Sequence, residues 1–289
     1  MSTPAFKPYA SPARPTTSPD ATPWPDGKRL AVYVAVGIEE YRFGEGHTED
    51  LLPKSPHDLV NTSWRDYGNR VGAFRLLDRL AAHGLPATVL LNTDVYRSAP
   101  AVLDHARRLG AEIVGHGISN SDSLADMTPA EQAAYVRQVA DEIEEHEGVR
   151  PLGWSSPWLA HTPETTAVLA DAGYRYLLDL RADDRPVALE GVDLTAMPYA
   201  LELNDSTTVI GRGASAAEFA SMIIDEFDEL LDASRERPVV MSIVTHAFIS
   251  GAPFRLRQLT RALTHLAAHR EEVWFTQPRE IWRREHGDG

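Results

Sequence analysis

Nearly continuous apolar runs alternate along the chain with longer amphipathic stretches. Leu30–Ile38 and residues 238–245 are apolar at almost every position, which is typical of strands covered on both faces. Between such runs, apolar residues recur at helical spacing, as at Val71, Phe74 and Leu77. Repeated strand–helix units predict parallel strands joined by right-handed crossovers.

The chain contains seven or eight such strand–helix units, and this number favours a closed barrel over an open sheet. We predict a deformed (β/α)7–8 barrel of the TIM type. The runner-up is a doubly wound, nucleotide-binding sheet, but the first strand is not followed by G-x-G-x-x-G and no Walker A motif occurs. The predicted strands are 30–38, 86–91, 111–114, 151–155, 174–180, 194–199, 238–245 and 273–276. The predicted helices are 69–83, 100–109, 129–147, 162–172, 216–233, 255–269 and 278–285.

The first residues differ from the rest. Residues 1–27 contain seven prolines, which forbid a helix or a central strand. We therefore predict a Pro-rich arm over 1–27 and a single barrel domain over 28–289. Such an arm often embraces a neighbouring subunit, so we expect a homo-oligomer.

Composition narrows the function classes. The formal net charge of −14 disfavours nucleic acid and anionic membrane surfaces as partners. The absence of cysteine excludes disulfides and thiolate nucleophiles, so a metal would be held by His, Asp, Glu, Asn or water. No apolar run is long enough to span a bilayer, and the first residues lack the order of a signal peptide, so we expect a cytoplasmic protein.

Polar side chains follow several predicted strands, where a barrel places its chemistry. Glu39 and Glu40 follow the first strand, His116 the third and His246 the seventh, whereas Asn92 after the second is interpreted as a helix cap. Two adjacent carboxylates can divide the work, one moving a proton while the other holds a metal or the substrate. A lone histidine at a strand end is more often structural, but two histidines with an acidic pair favour catalysis.

Further candidates could bind substrate. Trp64 and Arg65 lie near the end of a connection, residues 41–67, that is too long to be a plain loop. These residues could line the substrate site or could pack over the mouth of the barrel and close it, and the sequence favours neither role over the other. Trp154 ends the fourth strand, while Tyr199 and Glu202 lie at and beyond the end of the sixth.

Five motifs in order resemble the polysaccharide deacetylase superfamily, also called the NodB-homology or carbohydrate esterase family 4 group. The resemblance covers residues 29–282 and is closest to the intracellular, allantoinase-like branch, which includes metal-independent enzymes. The motifs are Glu39-Glu40, His116-Gly-Ile-Ser-Asn120, Pro151-Leu-Gly-Trp-Ser-Ser-Pro157, Met197-Pro-Tyr-Ala-Leu-Glu-Leu-Asn-Asp205 and Ser242-Ile-Val-Thr-His246.

The resemblance implies hydrolysis of amide C–N bonds, often N-acetyl groups in carbohydrate metabolism. It implies that Glu39 is the general base, that Glu40, His116 and Asn120 hold Zn²⁺ or another divalent metal, and that His246 is catalytic. The family pattern has Asp-Asp and a second histidine where this chain has Glu39-Glu40 and Asn120. A neutral amide oxygen is a poor zinc ligand, so the implied metal would be held loosely. Without a metal, a carboxylate and two histidines can still deprotonate water and protonate a leaving amine.

We therefore expect a hydrolase of non-peptide C–N bonds acting on a small amide or an N-acetyl sugar. Glu39 or Glu40 would deprotonate the attacking water, and His246 would protonate the leaving nitrogen. His116 would ligate a metal or bind the carbonyl oxygen. The alternatives are a metal-independent cyclic-amide hydrolase, a ligand-binding barrel without catalysis, and a lyase or isomerase on the same fold.

Overall fold

The structure is a computed structural model, and it describes residues 23–45 and 58–287. Most of the predicted arm lies outside the described residues. Its last part is attached to the barrel, because Trp24 is buried and its indole N–H donates to the Val239 carbonyl at 3.0 Å. Within the described ranges, no helix is long and apolar enough to cross a membrane.

One curled, mostly parallel sheet forms the centre of the molecule. Its order is β6-β7-β5-β4-β3-β2-β1-β8, with β9 also pairing with β1, and among the described strands only the β6–β7 pair is antiparallel. Beyond β7, Val244 of β8 donates to the Leu203 carbonyl at 2.8 Å, so the two ends of the sheet meet. The strands are β1 (Leu30–Ile38), β2 (Ala87–Leu91), β3 (Glu112–Gly115), β4 (Gly153–Trp154), β5 (Tyr176–Leu177), β6 (Val187–Ala188), β7 (Thr195–Ala196), β8 (Val239–His246) and β9 (Val273–Phe275).

Helices cover the outside of this sheet. Capping boxes begin α5 and α7 at the predicted helix starts, with Thr128 paired to Glu131 and Ser215 paired to Glu218. The short elements α3 and β6 were not predicted. The helices are α1 (Leu59–Tyr67), α2 (Ala73–Ala82), α3 (Val95–Ser98), α4 (Pro100–Arg108), α5 (Pro129–Glu147), α6 (Thr165–Asp171), α7 (Ala216–Ala233), α8 (Pro253–Ala268) and α9 (Pro278–His286).

The long connection after β1 contains a helix that was not predicted. This helix, α1, continues through a π-helical turn, Gly68–Gly72, into α2. Two glycines let this turn touch the segment that follows β8. A Cβ on Gly72 would lie 2.1 Å from the Ala247 carbonyl oxygen, and one on Gly68 would lie 2.7 Å from the Phe248 nitrogen. The contact ties the first connection to the end of β8.

A buried carboxylate lies within the barrel, away from the strand ends that were expected to carry chemistry. Glu112 of β3 accepts hydrogen bonds from the Tyr176 hydroxyl and from the Arg279 backbone N–H, the latter at 3.2 Å. Burial raises the pKa of Glu112 to about 7, against the lowering effects of Tyr176 and Arg279. Glu112 begins β3, whereas His116 follows the other end of the same strand. Glu112 therefore lies apart from the expected chemistry, and its ionisation affects the stability of the fold.

Candidate functional site

A cavity of about 250 Å³ lies at the carboxyl ends of the strands. Segments that follow β1, β3, β4 and β7 meet the last residue of β8 here, because parallel strands end at the same face of a barrel. The lining residues are Glu39, Leu90, His116, Asn120, Ser156, Trp158, Leu159, Tyr199, Asn204, Ser206, Thr207, Ile210, Gly211 and His246.

Glu39 stands between two histidines. Its Oε1 lies 3.4 Å from Nε2 of His116 and 3.3 Å from Nε2 of His246. The Glu39 side chain is only 1% exposed, so these contacts are shielded from water. The structure thus brings together three of the residues that the sequence placed at strand ends.

Each histidine is anchored through its other ring nitrogen. Nδ1 of His116 lies 2.8 Å from the Ser155 carbonyl oxygen, which can only accept, so this nitrogen carries the proton. Nδ1 of His246 lies 2.6 Å from Oδ1 of Asp205. Both rings therefore present Nε2 to Glu39, and the second contact of each fixes its orientation.

Asp205 is a site residue that sequence reasoning missed. It is fully buried, and besides the His246 ring it accepts from the backbone N–H groups of His246 and Ser250 and from the Ser250 hydroxyl. It is not at a strand end, so the strand-end argument passed over it. The signal that could have found it was its place as the last residue of the motif 197–205.

These contacts determine the protonation of Glu39 and His246. Burial opposes ionisation of Glu39, but the positive charge of His246 and hydrogen bonds from both histidines outweigh it, so the Glu39 pKa is lowered well below its usual value. Burial likewise opposes a charged His246, but Glu39 and Asp205 raise the His246 pKa well above its usual value. Near neutral pH the site therefore holds a carboxylate and an imidazolium in contact.

The other oxygen of Glu39 has a separate set of partners. Oε2 accepts from the Tyr41 hydroxyl at 2.8 Å and from Nδ2 of Asn120 at 3.0 Å. Nδ2 of Asn120 also donates to the Tyr41 oxygen at 2.8 Å, which closes a triangle. The Glu39 carbonyl is held in turn by Asn69 at 2.8 Å.

Glu40 faces away from the cavity, because successive residues of an extended segment point to opposite sides. Its carboxylate accepts from the Ser98 hydroxyl at 2.5 Å, and burial raises its pKa. Asn92, predicted to be a helix cap, instead accepts from the Glu40 N–H at 3.0 Å and donates to the His116 carbonyl. It thereby ties the ends of β1 and β3 together.

The predicted substrate-binding residues are dispersed. Tyr199 lines the cavity, whereas Trp154 is wholly buried in the core beside Tyr174. Glu202 is exposed and pairs with Arg212. Trp64 packs edge-on against Phe248, and the Arg65 guanidinium lies 4.0 Å from the centre of the Tyr41 ring. Both residues thus contact aromatic side chains beside the site and do not line the cavity.

Trp158 and Leu159 were not predicted to form the cavity wall. Both adopt left-handed backbone conformations, with φ of 61° and 54°. Such angles are unfavourable for bulky residues and persist only where surrounding contacts enforce them. Here the Trp158 indole N–H donates to the Asn120 carbonyl at 2.7 Å.

The predicted metal set of Glu40, His116 and Asn120 does not fit a metal. Glu40 is turned away, and Asn120 donates through its amide nitrogen to Glu39 while its Oδ1 is buried without a hydrogen-bond partner among the described residues. Of the three, only His116 and Asn120 therefore remain at the cavity, which is one ligand fewer than the predicted set. Over residues 23–45 and 58–287, no group of three or more His, Cys, Asp or Glu residues is arranged to hold a metal ion.

Comparisons with known proteins agree on the architecture. Residues 63–177 match the family model for polysaccharide deacetylase. A Schizosaccharomyces pombe protein assigned to the polysaccharide deacetylases is 24% identical over 92% of this chain and 94% of its own.

Two solved structures extend the comparison. PuuE allantoinase is 25% identical, with a TM-score of 0.82 over 96% of this chain and 98% of its own. A Pseudomonas aeruginosa PAO1 protein assigned to the polysaccharide deacetylases is 24% identical, with a TM-score of 0.81 over 92% of this chain and 93% of its own. The predicted deformed barrel is confirmed.

Proposed function

We propose that this chain, whose residues 63–177 match the polysaccharide deacetylase family model and whose motifs resemble that superfamily, hydrolyses a non-peptide C–N bond in a small amide. The observation that supports this most is the pairing of ionised Glu39 with protonated His246 at a shared cavity. General acid–base catalysis of amide hydrolysis uses a base to deprotonate the water and an acid to protonate the leaving nitrogen.

Glu39 is the proposed base. Its Oε1 faces the cavity and takes a proton from a water molecule, while the water oxygen forms a bond to the amide carbon and the carbonyl π bond opens to leave an oxyanion. His116, fixed by the Ser155 carbonyl, orients the water or the carbonyl group beside Oε1. No step is assigned to Glu40, whose carboxylate is bonded to Ser98 outside the cavity.

His246 is the proposed acid. Its Nε2 proton passes to the amide nitrogen as the oxyanion re-forms the carbonyl and the C–N bond breaks, giving a carboxylic acid and an amine or ammonia. Asp205 stabilises the imidazolium and keeps Nδ1 protonated. Glu39 then returns its proton to His246 across the 3.3 Å contact, which restores the starting state.

The cavity volume favours a small substrate over a polymer. A cavity of about 250 Å³ has room for one heterocycle or one sugar unit. Trp158, Leu159 and Ile210 give it an apolar wall, and Ser156, Ser206 and Thr207 add hydroxyl groups. A cyclic amide of the kind that allantoinases hydrolyse is the alternative we favour over an N-acetyl sugar, given the match to PuuE allantoinase over nearly the whole of both chains.

Turnover tests this proposal directly. Purified protein is incubated with allantoin, hydantoin, acetamide and N-acetylglucosamine, with and without zinc, and product formation is followed by NMR. We expect hydrolysis of at least one compound, abolished by Glu39→Gln. If no compound is hydrolysed yet one binds with the same affinity to wild type and Glu39→Gln, the protein is a ligand-binding barrel and the proposal fails.

A further inference from the structure

The two oxygens of the Glu39 carboxylate have different surroundings. Oε1 faces the two histidines and the cavity, whereas Oε2 is held by the Tyr41 hydroxyl and the Asn120 amide. Rotation of the carboxylate out of its plane would break all four contacts, and only a half-turn, which exchanges two equivalent oxygens, restores them. One oxygen at a time is therefore presented to a substrate, and we call that oxygen Oε1.

The Tyr41–Asn120 pair is itself rigidly supported. The Tyr41 ring has the Arg65 guanidinium over its face at 4.0 Å, and the edges of Phe248 and Trp158 pack against it with ring centres 6.1 and 6.2 Å away. Such packing fixes the direction of the hydroxyl.

Asn120 is fixed through its backbone. Its N–H donates to the Glu40 carbonyl at 2.7 Å, and its own carbonyl accepts from the Trp158 indole at 2.7 Å. Both donors to Oε2 are therefore in place before any substrate arrives, and no group has to reorganise during reaction.

We propose that Tyr41 and Asn120 are positioning residues that hold Oε1 of Glu39 as the reactive oxygen of the general base. This inference rests on the proposed hydrolysis and adds two residues to its machinery. It also gives position 120 a defined role, because the side chain there donates a hydrogen bond to the carboxylate. The two residues form one unit, since the amide of Asn120 also donates to the Tyr41 hydroxyl.

Kinetics of Tyr41→Phe and Asn120→Leu test the inference on whichever compound, allantoin, hydantoin, acetamide or N-acetylglucosamine, the wild type hydrolyses. Each variant loses hydrogen bonding to a charged group but keeps its bulk, so we expect kcat to fall about tenfold or more. KM should change less than about twofold, because neither residue is proposed to bind substrate. The double variant should lose little more than the worse single variant.

Ser98→Ala is the matched control, because it removes a hydroxyl bonded to the neighbouring Glu40 and should leave kcat unchanged. Crystal structures of the two single variants give a readout that needs no turnover: the Glu39 carboxylate should rotate, and Oε1 should lose its histidine contacts. If none of the four compounds is hydrolysed, the proposed function fails, and the crystal structures still decide the positioning. A carboxylate unmoved in both variants, or a kcat within about twofold of wild type in both, overturns the inference.

Discussion

Glu112 inside the barrel makes the stability of this protein depend on pH. An exposed glutamate has a pKa of about 4.5, whereas burial raises the pKa of Glu112 to about 7 in the folded state. Between these two values the folded protein binds a proton that the unfolded chain has released. The free energy of unfolding therefore falls as pH rises through this window and levels off above pH 7.

The size of the effect follows from the shift. Each pKa unit corresponds to 1.36 kcal/mol, so a rise from 4.5 to about 7 amounts to about 3 kcal/mol. Glu112→Gln removes the ionisation but keeps a carbonyl oxygen for the Tyr176 hydroxyl. The amide nitrogen of the new glutamine replaces the oxygen that accepts from the Arg279 N–H, and the lost hydrogen bond lowers the free energy of unfolding by an amount that does not depend on pH. The test is therefore how the difference between variant and wild type changes with pH.

Urea denaturation of both proteins between pH 5 and pH 8 provides the measurement. The free energy of unfolding of Glu112→Gln, minus that of the wild type, should rise by about 3 kcal/mol over this range. Glu229→Gln, which alters an exposed glutamate on α7, is the control and should show a nearly constant difference. A constant difference for Glu112→Gln would refute the reasoning.

Three further predictions concern the site and its support. Asp205→Asn should lower kcat by about 100-fold or more, because an amide cannot hold the His246 imidazolium as the carboxylate does; steady-state kinetics with an unchanged melting temperature would check this. Prolonged dialysis against EDTA should leave turnover unchanged, and a loss that added zinc restores would contradict our interpretation of the site. Gly72→Ala should lower the melting temperature by several degrees, since its Cβ would lie 2.1 Å from the Ala247 carbonyl oxygen, whereas Gly211→Ala, with no atom closer than 3.5 Å, should not.

Much of the fold could be predicted because the local signals agree with the global arrangement. The apolar runs of β1 and β8 are strands buried along their whole length, and both capping boxes begin helices. The helix α1 in the connection after β1 was not predicted, because it is rich in polar residues and lacks a clear apolar stripe. Its path depends on two glycines that permit contact with residues 247 and 248, which are distant in sequence.

The candidate site divides in the same way. Glu39, His116 and His246 were identifiable, because polar residues at the ends of buried strands are conspicuous and parallel strands bring such ends together. The sequence could not decide whether Glu39 or Glu40 is the base, because both are glutamates at the same strand end. Only the alternation of side chains in three dimensions sends one carboxylate into the cavity and the other to Ser98.

The sequence by itself determined the strand–helix order, the resemblance to the polysaccharide deacetylases and three of the strand-end residues, because periodicity and motif spacing are properties of neighbouring positions. Only the tertiary structure decided which oxygen of Glu39 is exposed to the cavity and which residues fix it. Tyr41, Asn120 and Asp205 acquire these roles through contacts with groups up to 81 positions away. Hydrogen-bond direction over such distances is set by packing, and no local pattern encodes it.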